Sequence, residues 1–391
     1  MPWIEFRLEK RLEPPRWLGP SMPFVAVTAA LLLGAAILLV SGRNPAVIYQ
    51  RMFQAAFTNP GALSATLAAA TPLLLTGLAA AVAFRMRVWN IGADGQLMIA
   101  AVLAAGAGIA LGERSLAISL PAMLVAGAIG GVAWALIPAL LRAYLRTSEV
   151  LTTLMLNYVA PLLLFYLIID STSYWRDLES PSARVFPQGK TLAESDFWPE
   201  YGEGIAVPFG LVVGVVLAVV LAVVLRSTRL GFQMKVAADS ETAGHYAGIR
   251  TVRLLILVMV ISGALAGLAG ASQVGDFSHR IEPKALQFAS YGYTGIAVAA
   301  LARYNPLGVV LSAFLVGGMT NAGFAIQGVD LPLGLIGLIQ GLILLLVAAS
   351  EVSSRYRFVF GRRAKLEPRG PGPPRETGEP ATAGAGEGGL S

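Results

Sequence analysis

Cysteine is absent from this chain of 391 residues, which removes disulfides, thiolate metal ligands and cysteine nucleophiles from consideration. Histidine is nearly absent too. His245 and His279 are the only imidazoles, too far apart in sequence to suggest a histidine-rich metal centre. Charge is also scarce: Asp, Glu, Lys and Arg make up 13% of residues, where a soluble domain carries about 25%. What fills the chain instead is apolar, with 55% hydrophobic residues and a mean hydropathy of +0.67. The apolar residues fall in runs of about 20, the length of a helix that crosses a hydrocarbon layer of about 30 Å. The composition therefore describes an all-α polytopic membrane protein. Its net charge of +6 comes from loops between the runs, so topology accounts for it and no nucleic-acid partner is expected.

Ten spans are predicted, at 23–41, 62–84, 92–111, 117–141, 150–170, 205–225, 254–273, 288–302, 307–323 and 332–349, with the third and eighth the least regular. The first follows Arg7, Lys10, Arg11 and Arg16 and so resembles a signal peptide. Its apolar core is longer than an h-region of about 7–15 residues, so it is expected to be a retained helix. With the N-terminus inside, 21 of the 29 Lys and Arg residues fall on the inner side, which predicts cytoplasmic termini. The domain reading is then a cytoplasmic segment 1–22, a transmembrane domain 23–349 and a cytoplasmic tail 350–391. Beyond Glu367 the tail is rich in Pro, Gly and Ala and is expected to be largely disordered. The outer loop 171–204 is acidic, with Asp177, Glu179, Glu194, Asp196, Glu200 and Glu203, and offers a docking surface to something outside.

Two of the runs are broken. Trp89-Asn90-Ile91-Gly92-Ala93-Asp94-Gly95-Gln96 places polar side chains and loosened backbone where lipid tolerates neither, so the segment must face protein, water or a substrate path. Gln287–Gly295 before the eighth span is again polar and interrupted by Gly292 and Gly295. Ten spans divide as five plus five, and an odd number per half makes any repeat inverted. The two breaks then occupy corresponding places, the sequence pointer to a transport path built from discontinuous helices. Gly127/Gly131, Gly263/Gly267 and Gly337/Gly341 are spaced for close helix packing. The candidate path residues are Asn90, Asp94, Gln96, Asn157, Tyr158, Tyr291 and Tyr293, which carry hydrogen-bonding groups and aromatic faces. They serve either as substrate contacts or as the hydrogen bonds that hold helices together, and Asp94 and Glu149 serve equally well as anchors of helix N-termini.

The inner loop between spans six and seven is the second informative segment. Ala237–Ile249 predicts a short helix, with Asp239 or Ser240 as its cap, Glu241 in its first turn and Gly248 at its end. Gly231, Asp239, Glu241, Ala243, His245, Tyr246 and Gly248 would form a compact knob able to fit a groove on a cytoplasmic ATPase. Gly189-Lys190-Thr191 echoes the end of a P-loop, but the glycine required five positions earlier is Arg184, so no nucleotide site is expected. An ion-coupled carrier or channel would share the broken helices but give that loop no role. A membrane enzyme would need convergent titratable groups, and the acids here are isolated.

Val88–Leu97, Ser148–Tyr158, Ala237–Ile249 and Gly295–Gly308 resemble the permease subunits of bacterial ABC importers for nucleosides and simple sugars, over about residues 20–350. Asp94 stands where glutamate is more usual, and Trp89 where phenylalanine is common. The resemblance implies a multi-pass subunit of the bacterial plasma membrane. It pairs with a second permease, a cytoplasmic ABC ATPase and an external substrate-binding lipoprotein, and binds no cofactor itself because the partner uses the ATP. It tilts the cargo toward nucleosides, with simple sugars as the alternative.

Overall fold

The computed structural model describes residues 4–10, 18–326 and 356–362, together with helical positions 338, 341–342, 345–346 and 349. The chain forms two units, one of residues 15–354 and one joining 1–14 to 355–391.

The larger unit is a bundle of helices α1 (Leu18–Val40), α2 (Pro45–Phe53), α3 (Ala62–Arg85), α4 (Ala93–Leu111), α5 (Leu116–Leu145), α6 (Glu149–Phe165), α8 (Phe209–Ser227), α11 (Thr251–Ser272) and α14 (Pro306–Ile326). Shorter pieces lie between them: α7 (Pro181–Val185), α9 (Arg229–Asp239), α10 (Glu241–Tyr246), α12 (Pro283–Ala289) and α13 (Tyr291–Leu301). π-helical turns extend α6 to Asp170 and α11 to Ser278. Among the described residues, seven helices are long and apolar enough to cross a membrane.

Those seven match the predicted spans two to seven and nine, and the differences lie elsewhere. The first predicted span, 23–41, coincides with α1 (Leu18–Val40). The tenth span, 332–349, falls outside the described residues apart from scattered helical positions. The eighth is corrected: 288–302 is not one helix. Ser290 takes a left-handed conformation (φ 48°) and divides it into α12 and α13. At 11 residues, α13 is about 16 Å long and covers half the hydrocarbon thickness. The third span was expected to be irregular, yet α4 is regular once begun, and the irregularity is confined to the residues before it. The helix α2, closed at its start by the Asn44 side chain on the Ala46 amide, had no counterpart in the sequence reading.

Burial ranks the helices. Most of α3 is enclosed, as are more than half of α4 and the α11 span, whereas a third or less of α5, α6 and α8 is buried. Glycine sets the tightest crossing. A Cβ on Gly131 would lie 2.7 Å from Gly267 Cα, and one on Gly127 would meet Ala271 Cβ at 2.6 Å. The predicted pairs on α5 and α11 therefore interlock, and van der Waals packing is the force available where lipid is as apolar as the helices. Gly337 lies outside the described residues, and Gly341 meets nothing within 4 Å.

Residues 171–208, between α6 and α8, fold back on the bundle. Trp175 Nε1 donates to the Val102 carbonyl at 2.9 Å, Gly189 N to Ile281 O at 3.0 Å and Trp198 N to Gly275 O at 3.0 Å. The segment also carries a two-residue antiparallel pair, β2 (Glu200–Tyr201) with β3 (Val207–Pro208). Gly189 thus does local structural work, since a Cβ there would press on Ile281.

The second unit is an antiparallel ribbon of β1 (Ile4–Lys10) and β4 (Tyr356–Arg362), in register from Ile4 opposite Arg362 to Lys10 opposite Tyr356. Part of the predicted tail is therefore strand, and residues beyond 362 are outside the described set.

Candidate functional site

The two sequence breaks meet in space. After α3 the chain turns at Arg87 (φ 58°), and Trp89 packs on Phe84, ring centroids 4.7 Å apart. Residues 90–92 are non-helical before α4 begins at Ala93. The first-turn amides of α4 lack intrahelical acceptors. Gly95 N–H finds one in Asn157 Oδ1 of α6 at 2.9 Å. Asn157 Nδ2 donates to the Ile91 carbonyl (2.8 Å) and to the Tyr293 hydroxyl (3.0 Å). One carboxamide thus ties α6, the break and α13 together.

Asp94, also in the first turn of α4, aims elsewhere. Its Oδ1 accepts from Gly292 N–H at 2.6 Å, the second residue of α13, so a carboxylate from one broken helix caps the other. Negative charge is favoured at a helix N-terminus, and here it lies at two. Only glycine allows this approach, because a Cβ on Gly292 would fall 2.8 Å from the carbonyl carbon of Ala93. Thr76 of α3 completes the seat of α13 by donating to the Tyr291 carbonyl at 3.0 Å.

Asn90 and Gln96 form a reciprocal amide pair: Asn90 Nδ2 donates to Gln96 Oε1 at 3.0 Å, and Gln96 Nε2 to Asn90 Oδ1 at 2.9 Å. Asn90 also donates to Ser262 Oγ (2.8 Å), whose own hydroxyl donates to the Ala79 carbonyl (2.8 Å). Both amides are 1% exposed. Their hydrogen-bonding capacity goes to each other, α3 and α11, as buried polar groups require.

The seven candidate path residues therefore separate. Asn90, Asp94, Gln96 and Asn157 are buried, Tyr291 is half-buried, and Tyr158 and Tyr293 are 62% and 38% exposed. Glu149, in the first turn of α6, pairs with Arg142 at 3.3 Å.

The predicted short helix is α10. Ser240, not Asp239, is its cap, accepting from Ala243 N–H at 3.2 Å. Gly248 closes it with φ 74°, a conformation in which only glycine is unstrained. Asp239 instead lies 4.0 Å from Arg87, an exposed pair. Gly231 is buried where α9 folds against the end of α8, with Leu225 backbone 2.6 Å from a notional Cβ. Ala243 and His245 are exposed with Tyr246, 88% accessible at the tip, and Glu241 opens the first turn.

A family model for the permease component of the branched-chain amino acid transport system matches residues 62–348. The chain belongs to this permease family. It is 31% identical to the glucose ABC transporter permease of Haloferax volcanii over 93% of this chain and 97% of that one. It is likewise 31% identical to the guanosine ABC transporter permease of Bacillus subtilis over 88% and 96%. With the nucleoside ABC transporter permease of Lactococcus lactis the identity is 30% over 77% and 85%. The protein is thus a multi-pass permease subunit of an ABC importer, in a family that works with an ATPase and a substrate-binding protein.

Sequence reasoning missed a second junction in this permease. Asp276, in the π-turn after α11, accepts from Gly210 N–H at the start of α8 (3.0 Å) and from Ser272 Oγ (2.7 Å). The available signal was an acid directly after an apolar run, Gly275-Asp276. Nearby, His279 stacks on Phe197 with centroids 3.6 Å apart, and burial lowers its pKa. Asp196 is fully buried, and burial pushes its carboxyl above the ordinary range against the opposing pull of the Ser119 hydroxyl. In the same loop Asp177 is held down at about 2 by the Ser180 hydroxyl and by the amides of Ser180 and Glu179.

Proposed function

We propose that this permease carries nucleosides delivered by an external binding lipoprotein, across a bacterial inner membrane, alongside a second permease subunit and a cytoplasmic ABC ATPase. The observation that carries the reading is the pair of exposed tyrosines, Tyr158 and Tyr293, set on the outward side of a sealed polar junction. The Tyr293 hydroxyl accepts from Asn157, which leaves its own proton free to donate to a passing ribose or base. Both rings offer the aromatic faces a nucleobase favours. In this reading substrate moves along the α6–α13 face, where the second permease closes the path. Asn90, Asp94 and Gln96 keep the half-helix α13 in place, with Tyr291 beside them. The knob α10, capped at both ends by Ser240 and Gly248, receives the motion of the ATPase and drives alternating access. Pairing of β1 with β4 supports the reading that both termini are cytoplasmic.

Simple sugars are the second reading, supported by the likeness to a glucose permease at 31% identity. The test is uptake of a labelled purine nucleoside and of labelled glucose by vesicles holding the complete importer. Nucleoside uptake that falls about tenfold in Tyr158→Ala, with ATP hydrolysis kept, is expected; one lost ring–base stack is worth ~1–3 kcal/mol. Glucose uptake instead establishes the second reading, and uptake of neither overturns both.

A further inference from the structure

Beside α10, between α9 and the first turns of α11, lies a cavity of about 280 Å³ lined by Gln233, Gly248, Arg250, Arg253, Leu254 and Leu257. That is close to the lower bound for ligand cavities, which run about 300–1,000 Å³. The arginine side chains have neither ion pair nor hydrogen bond among the described residues. They stand immediately before and within the first turn of the α11 span, which opens at Thr251.

The lining changes character with depth. Arg253 and Leu257, four residues apart, stack on one helix face, and Leu257 lies about 6 Å further along the axis. Leu257 is exposed, as are both arginines, and Gln233 is half-buried. A cavity that is cationic at the membrane surface and aliphatic one turn deeper matches an anionic phospholipid. The guanidinium forks suit a phosphodiester, the aliphatic side chains suit the first carbons of an acyl chain, and basic pockets between helices on the cytoplasmic side bind such headgroups.

We propose that this cavity is a binding site for the headgroup of an anionic phospholipid, seated between α9 and α11. The turn at Gly248 that ends α10 forms one wall, so an occupied site braces the knob from behind and makes its position depend on the lipid around it. The inference concerns a lipid and stands apart from the identity of the cargo.

The test is native mass spectrometry of the full-length chain in mild detergent with phosphatidylglycerol or phosphatidylcholine added. Three forms are compared: wild type, Arg250→Gln/Arg253→Gln, and Arg226→Gln/Arg229→Gln, which removes equal charge elsewhere in the same loop. Wild type and the Arg226/Arg229 variant are expected to prefer phosphatidylglycerol by about tenfold. The Arg250/Arg253 variant is expected to lose that preference while its thermal unfolding stays unchanged. Equal binding of the two lipids, or equal loss in both variants, overturns the site. Displacement by millimolar inorganic phosphate alone assigns it to a free anion. Retained lipid preference with lost capture of the ATPase assigns the arginines to protein docking. Either of these last results also overturns the lipid proposal.

Discussion

Two buried carboxylates in this permease do the same local job in different surroundings. Asp94 caps α13 through Gly292 N–H, and Asp276 caps α8 through Gly210 N–H. In both, glycine permits the approach, since a Cβ on Gly210 would press on Asp276 Oδ2 and Ser272. Around Asp94 the side-chain amides are closed on one another: Asn157 serves the amide of Gly95, and Asn90 and Gln96 serve each other, while Trp134 Nε1, against Gly95, is a buried donor without a partner among the described residues. Around Asp276 the accounts stay open. Its Oδ1, Trp198 Nε1 and His279 Nδ1 have no partner among the described residues. A satisfied network in low dielectric fixes one arrangement, whereas an incompletely satisfied one opens at lower cost. The first junction is thus the more fully satisfied seat for a half-helix, and the second is expected to open at lower cost.

Substitution can break that contrast. Asp94→Ala should have the largest effect, because it strands the Gly292 amide where no water can replace the carboxylate. A loss of about 2–3 kcal/mol is expected, the range for a buried bond to a charged group, read as a fall in unfolding temperature in detergent. Asp276→Ala should cost less, about 1–2 kcal/mol, since the Ser272 hydroxyl lies against Gly210 and is left free to accept from its amide. If the two losses are equal, or reversed, the distinction between the two junctions fails.

Asp196 gives the smallest expected change and the opposite sign. Its folded pKa is raised, so the folded state holds its proton more tightly than the unfolded state, and stability falls as pH rises above the ordinary aspartate value of about 3.9. Asp196→Asn removes that penalty. Cleavage of the 171–208 segment by added protease at pH 7.5 should slow severalfold in the variant, and the difference should shrink toward pH 4. Faster cleavage would show that the ionised carboxylate stabilises the segment instead.

Much of the fold was legible from local pattern. Seven spans, the glycine pairs of α5 and α11, and the ends of α10 each follow from signals a few residues long, such as run length, i,i+4 spacing, Ser240 and Gly248. The halves of the eighth span were legible as a break but not as two helices. The left-handed turn at Ser290 is sustained by α13 being capped from another part of the chain. The folded outer segment was read only as an acidic surface, because the contacts of Trp175 with Val102 and of Trp198 with Gly275 leave no periodic trace.

By itself, the sequence determined that the chain lives in a membrane, where its helices break, and which family of permeases it belongs to. Each of these rests on composition or short-range order. Only the tertiary structure decided which polar residues are sealed and which are open. Asn90 and Tyr158 both read as path candidates, yet one is locked to Gln96 and Ser262 and the other stands outward. Helices apolar on every side carry no stripe to say which face turns inward. The partner of Asp94 lies 198 residues away, so a packing geometry, and no local rule, brings the two breaks together.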